Sequence, residues 1–506
     1  MLNTKNLMLP VFLAFNSLIV QAQTVQKEIP QADWMVAEGS GNTNWRGYNG
    51  LSSSELGDKS QTPKPVLLQN GAMAAIAGTK NGAGVIAIDE KMNIRWQCSI
   101  FGYPLTLGKL HGNLLAISAS DVAKLTGIYS NTLTASLIDP ETGKVILQKT
   151  IYSGSEDITE QPLFFFSADG SFFKMAIRVS HMKRKANLNL MDKLMQQFGE
   201  TESFSLFELD EKLEKKNSIN LDLEPGGFGG ALCNSKGEVF IKTIPSQNTI
   251  QVARYVPGSP KAAKTLVQTI DARKKNFNSK FLVSNSNPSV VYLATLFEDA
   301  NKETAFSVCR LNFTDGTQKE QKEVFTKSSL RDLEKNYTEI NKKMDKPDLQ
   351  LPDQLKLLEL EELGDRVVVT MTPASLVATQ NQEYREMGSL LLSSYDTDLN
   401  HKTQTIIPRF HTAPLAQGIS FHREGNMLKF ITNGQGGLSN KAIYGQLDLQ
   451  SGKVLKLQHI EKDKIEKANP ADPNSVFWFP SGFVISYLNM KRMGTKIVAD
   501  LQLVSY

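Results

Sequence analysis

Residues 136–145, Ser-Leu-Ile-Asp-Pro-Glu-Thr-Gly-Lys-Val, and residues 444–453, Tyr-Gly-Gln-Leu-Asp-Leu-Gln-Ser-Gly-Lys, carry one pattern in two places. An apolar run leads into Asp139 or Asp448, and a second strand leaves from Lys144 or Lys453. A carboxylate at the head of such a turn accepts from nearby backbone N–H groups, and the glycine near its end supplies the positive φ that the reversal requires. Weaker copies centre on Asp89, Asp210, Gly258, Asp315 and Asp396. Where nothing is inserted the copies recur at about 50 residues, which suits four short strands and their loops.

A second hairpin precedes each of these, most clearly at Leu163–Phe166 with Phe172–Val179 and at Gln354–Leu360 with Arg366–Thr370. Ile497, Ala499, Leu501 and Leu503 alternate with Val498, Asp500 and Gln502, the period of a sheet with unequal faces. Seven units start near Val66, Pro104, Pro162, Gly226, Lys280, Gln354 and Gly418. Three strands follow, Ser475–Phe479, Gly482–Asn489 and Thr495–Val504. Three strands alone leave an open edge, a template for aggregation. The segment Asp33–Glu38, ahead of the first unit, is therefore expected to complete an eighth blade. The chain reads as all-β, a single β-propeller of eight blades (seven being the alternative), spanning residues 23–506 and closed by both of its ends.

The run Asp-x-x-Thr-Gly-Lys after an alternating strand resembles the repeat of the pyrroloquinoline-quinone-type propellers, at Asp139–Lys144 and, with Ser for Thr, at Asp448–Lys453. Trp96 is the one counterpart of that family's repeat tryptophan, one residue early; the position is Leu147 or Lys456 elsewhere. The resemblance implies a propeller. It assigns no cofactor here, since the vicinal cysteines often found in the quinone enzymes are missing.

In a meander of strands A to D, counted from the axis outward, the B–C and D–A connections emerge on one face of the disc and the A–B and C–D turns on the other. The long connections, 181–203, 327–351 and 373–388, fall on the B–C/D–A face, as do the glycine-rich pieces Asn81–Gly84, Gly226–Gly230 and Asn433–Gly437. Long loops on a rigid scaffold are where function concentrates. Two insertions have helical periodicity. Leu188, Met191, Leu194, Met195 and Phe198 form a stripe within about 186–199, and Leu330, Leu333, Tyr337, Ile340 and Met344 form one within about 328–345. Ser329 with Asp332 is the expected capping pair of the second, and both helices are expected to frame a site on the long-loop face.

Lys5, the apolar run Leu7–Val20 and the small residues of Val20-Gln21-Ala22 read as a cleaved signal peptide, residues 1–22. Pro10, Asn16 and Ser17 interrupt the run, and a spanning helix needs about 20 apolar residues. No cysteine follows the cut, so the expectation is a secreted or periplasmic protein without a lipid anchor. The signal removes one of 56 basic residues and none of the 52 acidic ones, which leaves no electrostatic case for nucleic acid. The short clusters Lys183-Arg184-Lys185 and Arg273-Lys274-Lys275 read as solvated surface. Cys98, Cys233 and Cys309 sit in apolar, strand-like surroundings and read as inert thiols rather than a disulfide framework.

The six histidines show no metal spacing; His401, His411 and His422 share a region but different elements. Asp396-Thr-Asp398-Leu-Asn400 opens like a calcium loop but lacks its glycine and distal Glu, so a hairpin turn is the better reading. Gly226–Gly230 lacks the Lys-Ser/Thr of a phosphate loop and reads as close backbone approach near the axis. No catalytic, cofactor or metal residue stands out. The reading is a monomeric module that binds a small ligand or a protein through its long-loop face. The alternative is a propeller-type enzyme, carbohydrate-active or quinone-dependent, with its site at the channel mouth.

Overall fold

The structure, a computed structural model, describes residues 24–28, 34–36, 65–79, 82–119, 132–153, 162–179, 203–246, 248–272, 278–335, 337, 340, 346, 349, 355–378, 383–400, 402–413, 418–436, 439–461, 471–488 and 499–506. The expected helix around Leu188–Phe198 lies outside them. Eight antiparallel blades follow one another around a ring, each an A-B-C-D meander. Their A strands are, from the second, Tyr103–Leu110, Leu163–Phe166, Gly227–Cys233, Asn278–Val283, Leu355–Leu363, Ile419–Glu424 and Ala471–Phe479.

Alternation along the strands builds the core. In strand B of blade five, Val290–Glu298, the residues Val290, Tyr292, Ala294 and Leu296 join the apolar cluster shared with blade six. Val291, Leu293 and Phe297 join the one shared with blade four. Side chains of a strand point alternately to its two faces, so a strand packed on both sides reads as one apolar run. Eight such clusters lie at eight blade interfaces, the last joining Met73, Ile86 and Ile88 of blade one to Phe477, Val484 and Leu501 of blade eight. The ring is closed.

The closure differs from expectation. Strand D of blade eight is Thr24–Glu28, paired with Ala499–Ser505 from Thr24↔Val504 to Glu28↔Asp500. The segment expected there supplies Trp34–Val36, which pairs with Ala77–Thr79 of blade one. Val66–Leu67 pairs further along that same strand, so blade one's A strand is built from two pieces of chain. Polarity sorted them: Thr-Val-Gln-Lys-Glu suits an outermost strand, and Trp-Met-Val suits an innermost one.

The short-turn face is held by the motif that opened the sequence. Asp139 Oδ1 accepts from the N–H groups of Glu141 (3.0 Å) and Thr142 (2.8 Å), and Gly143 takes φ 71°. Asp89, Asp210 and Asp396 head turns of a second kind, in which Met92, Leu213 and Leu399 occupy the positive-φ position and bury their side chains. Burial of a large apolar side chain outweighs the cost of about 1–2 kcal/mol that a left-handed residue carries. The copy expected at Asp315 is headed instead by Asn312.

Neighbouring blades dock on these turns. Trp96, in blade one, donates Nε1–H to the Pro140 carbonyl of blade two at 2.9 Å. Its ring lies so close to Gly143 that a Cβ there would come within 2.5 Å of it. Replacing Trp96 by Phe keeps the apolar face and deletes the donor; urea unfolding should show a loss of about 1–2 kcal/mol. Unchanged stability would mean that the Pro140 carbonyl is equally well served by water. Thr405 plays the corresponding part between blades six and seven, donating to Gly452.

One helix is described in the 327–351 connection, α1, Lys327–Lys335. Residues 341–345 of the expected helical span lie outside the described residues. Its cap is Thr326: Thr326 Oγ1 accepts from Ser329 N–H (3.0 Å) while Ser329 Oγ accepts from Thr326 N–H (2.9 Å). Asp332, expected in the cap, pairs with Lys335 at 3.2 Å. Leu330 is fully buried in the cluster of blades five and six, with Leu333 and Tyr337 packed against it. The stripe docks on the propeller, and Ile340 stays 38% exposed.

Candidate functional site

The two faces differ in what their polar groups are doing. On the short-turn face the turns are tied to neighbouring blades: Asn70 donates to Glu141 (2.9 Å), Ser481 to Glu90 (3.0 Å), and Ser284 and Ser286 of blade five to Glu362 of blade six (2.9 and 2.7 Å). Lys319 reaches Asn400 in the same way. The Asp396 turn accepts the N–H groups of Asp398 (3.1 Å) and Asn400 (2.7 Å), so this segment is a hairpin turn.

The long-loop face carries a feature of its own between blades six and seven. Strand B of blade six, Arg366–Ala378, runs on beyond its partner Leu390–Asp396 and pairs with Glu383–Met387. Glu383–Met387 pairs in turn with His411–Ala413 from the next D–A connection. The long connection expected over 373–388 is therefore a three-stranded ribbon standing on the face. At its base Gly388 N–H donates to Pro373 O (2.9 Å). Arg409, 1% exposed, donates from Nε to Gly388 O (3.2 Å) and from Nη1 to Thr432 Oγ1 of blade seven (2.6 Å), and the Thr432 hydroxyl donates in turn to Gly418 O (2.9 Å). Two D–A connections also hold the exposed aromatics Phe101 (60%) and Phe410 (39%).

Near the axis, Gly226–Gly230 leads into and forms part of blade four's A strand. A Cβ on Gly226 would lie 2.7 Å from Pro245 N, and one on Gly229 would lie 2.7 Å from Lys242 Cε, so the run serves close approach. Phe228 there receives the Arg178 guanidinium at 4.2 Å. His422, in blade seven's A strand, stacks on Trp478 of blade eight at 5.3 Å, and Trp478 Nε1–H donates to Ser420 Oγ (2.9 Å). Burial first, and Lys429 second, hold the His422 imidazole below its ordinary pKa. His411 belongs to the ribbon, and His401 lies outside the described residues. Burial pushes the Cys98 thiol up to about 11 and those of Cys233 and Cys309 up to about 12, which keeps all three protonated near neutral pH. The sequence reading missed Arg409 and the ribbon; the one available signal was the apolar and threonine-rich length of residues 366–378.

These elements define the class of the protein, an eight-bladed β-propeller with an elaborated B–C/D–A face. No family model matches the chain, and no curated protein sequence matches it. Among solved structures it is similar to BamB from Moraxella catarrhalis, at 11% identity and a TM-score of 0.40, over 88% of this chain and 97% of that one. It is similar to the WD40 domain of SCAP from fission yeast, at 11% identity and a TM-score of 0.40, over 88% and 96%. It is also similar to the polysaccharide lyase Uly1, at 9% identity and a TM-score of 0.36, over 79% and 89%. Among the described residues no helix is long and apolar enough to cross a membrane.

Proposed function

We propose that this chain is an exported binding module that engages a partner protein through the B–C/D–A face, with the ribbon and the neighbouring D–A connections as the contact surface. The observation that carries the reading is the placement of Phe101 and Phe410. Exposed aromatic side chains are enriched where proteins meet, and both lie on the face whose connections are long. The turns of the opposite face are bound to neighbouring blades. Export follows from the signal-like residues 1–22 and gives a mature chain beginning at Gln23.

Site-specific photo-crosslinking in the producing cell tests this. A benzophenone side chain at Phe101 or Phe410 should give a discrete adduct with another protein, and one at Glu141 on the short-turn face should not. Adducts from Glu141 alone, or none from Phe101 and Phe410, would overturn the assignment.

A further inference from the structure

Residues 68–72 form the A–B turn of blade one, and at its tip Asn70 is followed by Gly71. Both residues are exposed, and the space around Gly71 is open, with nothing within 4 Å of a Cβ built there. Asn70 Oδ1 accepts from Ala72 N–H at 3.0 Å. That bond closes a ring of which Gly71 N is a member, so the side chain lies folded over the nitrogen that follows it. The same bond draws electrons from the Asn70 amide carbon. Asparagine is among the thermolabile residues, and glycine, with no Cβ, puts least in the way of attack by its own nitrogen. On its other side Asn70 Nδ2 donates to Glu141 of blade two at 2.9 Å. Glu141 belongs to the Asp139–Lys144 turn on which Trp96 docks, so the amide is one of the ties across that seam.

We propose that Asn70 is a site of spontaneous deamidation and that its conversion loosens the seam between blades one and two. Gly71 N gives up its proton and bonds to Asn70 Cγ; the Cγ–Nδ2 bond breaks, and the amide leaves as ammonia with that proton. Water then opens the five-membered imide. Cleavage between Gly71 N and Cγ leaves aspartate, and cleavage of the original peptide bond leaves isoaspartate, with the chain rerouted through Cγ. Both products lose the donor to Glu141 and add a negative charge beside its carboxylate. The site lies on the short-turn face and is independent of the partner-binding reading. Asn433-Gly434 is the same dipeptide in the opposite setting. Asn433 is fully buried in the ladder of blade seven, opposite Ala442, and donates Nδ2 to Ala471 O at 2.7 Å.

The full mature protein is held in mildly alkaline buffer below its melting temperature and mapped by peptide mass spectrometry. Asn70 should convert at least about tenfold faster than Asn433, which must wait for its strand to open locally. Mapping separates both from the pairs Asn49-Gly50 and Asn81-Gly82. A label specific for isoaspartate should mark the Asn70 peptide. Asn70→Asp introduces the charge at once, and hydrogen exchange at the Thr142 and Gly143 amides should then be about two- to threefold faster than in the parent. Adding Glu141→Gln, which offers the new carboxylate a donor, should restore the parent rate. Asn70 no more labile than Asn433, or exchange in Asn70→Asp equal to the parent's, would overturn the proposal.

Discussion

A chain beginning at Ile29 instead of Gln23 is expected to be about 3–5 kcal/mol less stable to urea and to aggregate on warming. The six residues removed include the whole of Thr24–Glu28, the outermost strand of blade eight. Each backbone hydrogen bond contributes about 0.5–1.5 kcal/mol net, and a five-residue strand makes several of them. Against a total of about 5–15 kcal/mol this is a large fraction. The lesion also uncovers Ala499–Ser505 as an edge carrying Leu501, Leu503 and Val504, and open edges template pairing between molecules. Blade one's inner strand, Trp34–Val36 and Val66–Leu67, is left in place, so the effect reports closure alone. A truncated chain as stable and as soluble as the parent would show that blade eight holds without its fourth strand.

Leu330→Asp is expected to cost about 4 kcal/mol or more, while Ile340→Asp should stay within about 0.5 kcal/mol of the parent. Both residues belong to the stripe that the helical period picks out, and they part in where the chain puts them. Leu330 is fully buried among Tyr292, Phe306 and Leu349 in the cluster of blades five and six, where a carboxylate has no partner and no water. Ile340 is exposed. Guanidinium chloride unfolding of the two variants checks the pair. Equal effects would mean that the segment after Thr326 does not dock on the rim.

The blade count and the turn chemistry were legible because both rest on local rules. Asp139–Lys144 and Asp448–Lys453 need particular residues within six positions, and a strand packed on both faces must read as an apolar run. The closing strand was misplaced because its partner lies at the other end of the chain, and nothing local names a partner. Its polarity was the unused clue: the outer strands Lys215–Asn220 and Gln318–Phe325 are as rich in Lys, Glu, Gln and Asn as Thr24–Glu28 is. The helix cap was misplaced by three residues because Thr326 and Ser329 can both cap, and only the docking of Leu330 decides between them. Arg409 was illegible, since Pro408-Arg409-Phe410 has no pattern that separates a buried arginine from a surface one. Its burial follows from the ribbon that pairs residues 383–387 with residues 411–413.

The eight separate apolar clusters also bear on how the protein opens. Each cluster is shared by two blades, so no blade owns a core, and detaching one from the interior of the ring forfeits two clusters. Parting a single seam forfeits one and leaves a C-shaped arc of eight blades joined by the other seven clusters. Native-state hydrogen exchange would report that arc as a sub-global opening below full unfolding in free energy. The seam between blades eight and one differs from the rest in being flanked by the first strands of the chain, Thr24–Glu28 in blade eight and Trp34–Val36 in blade one. The same blade eight is also held by a strand from the far end of the chain. A molecule that clasped blades eight and one together would hold that one seam shut and leave the other seven as they are.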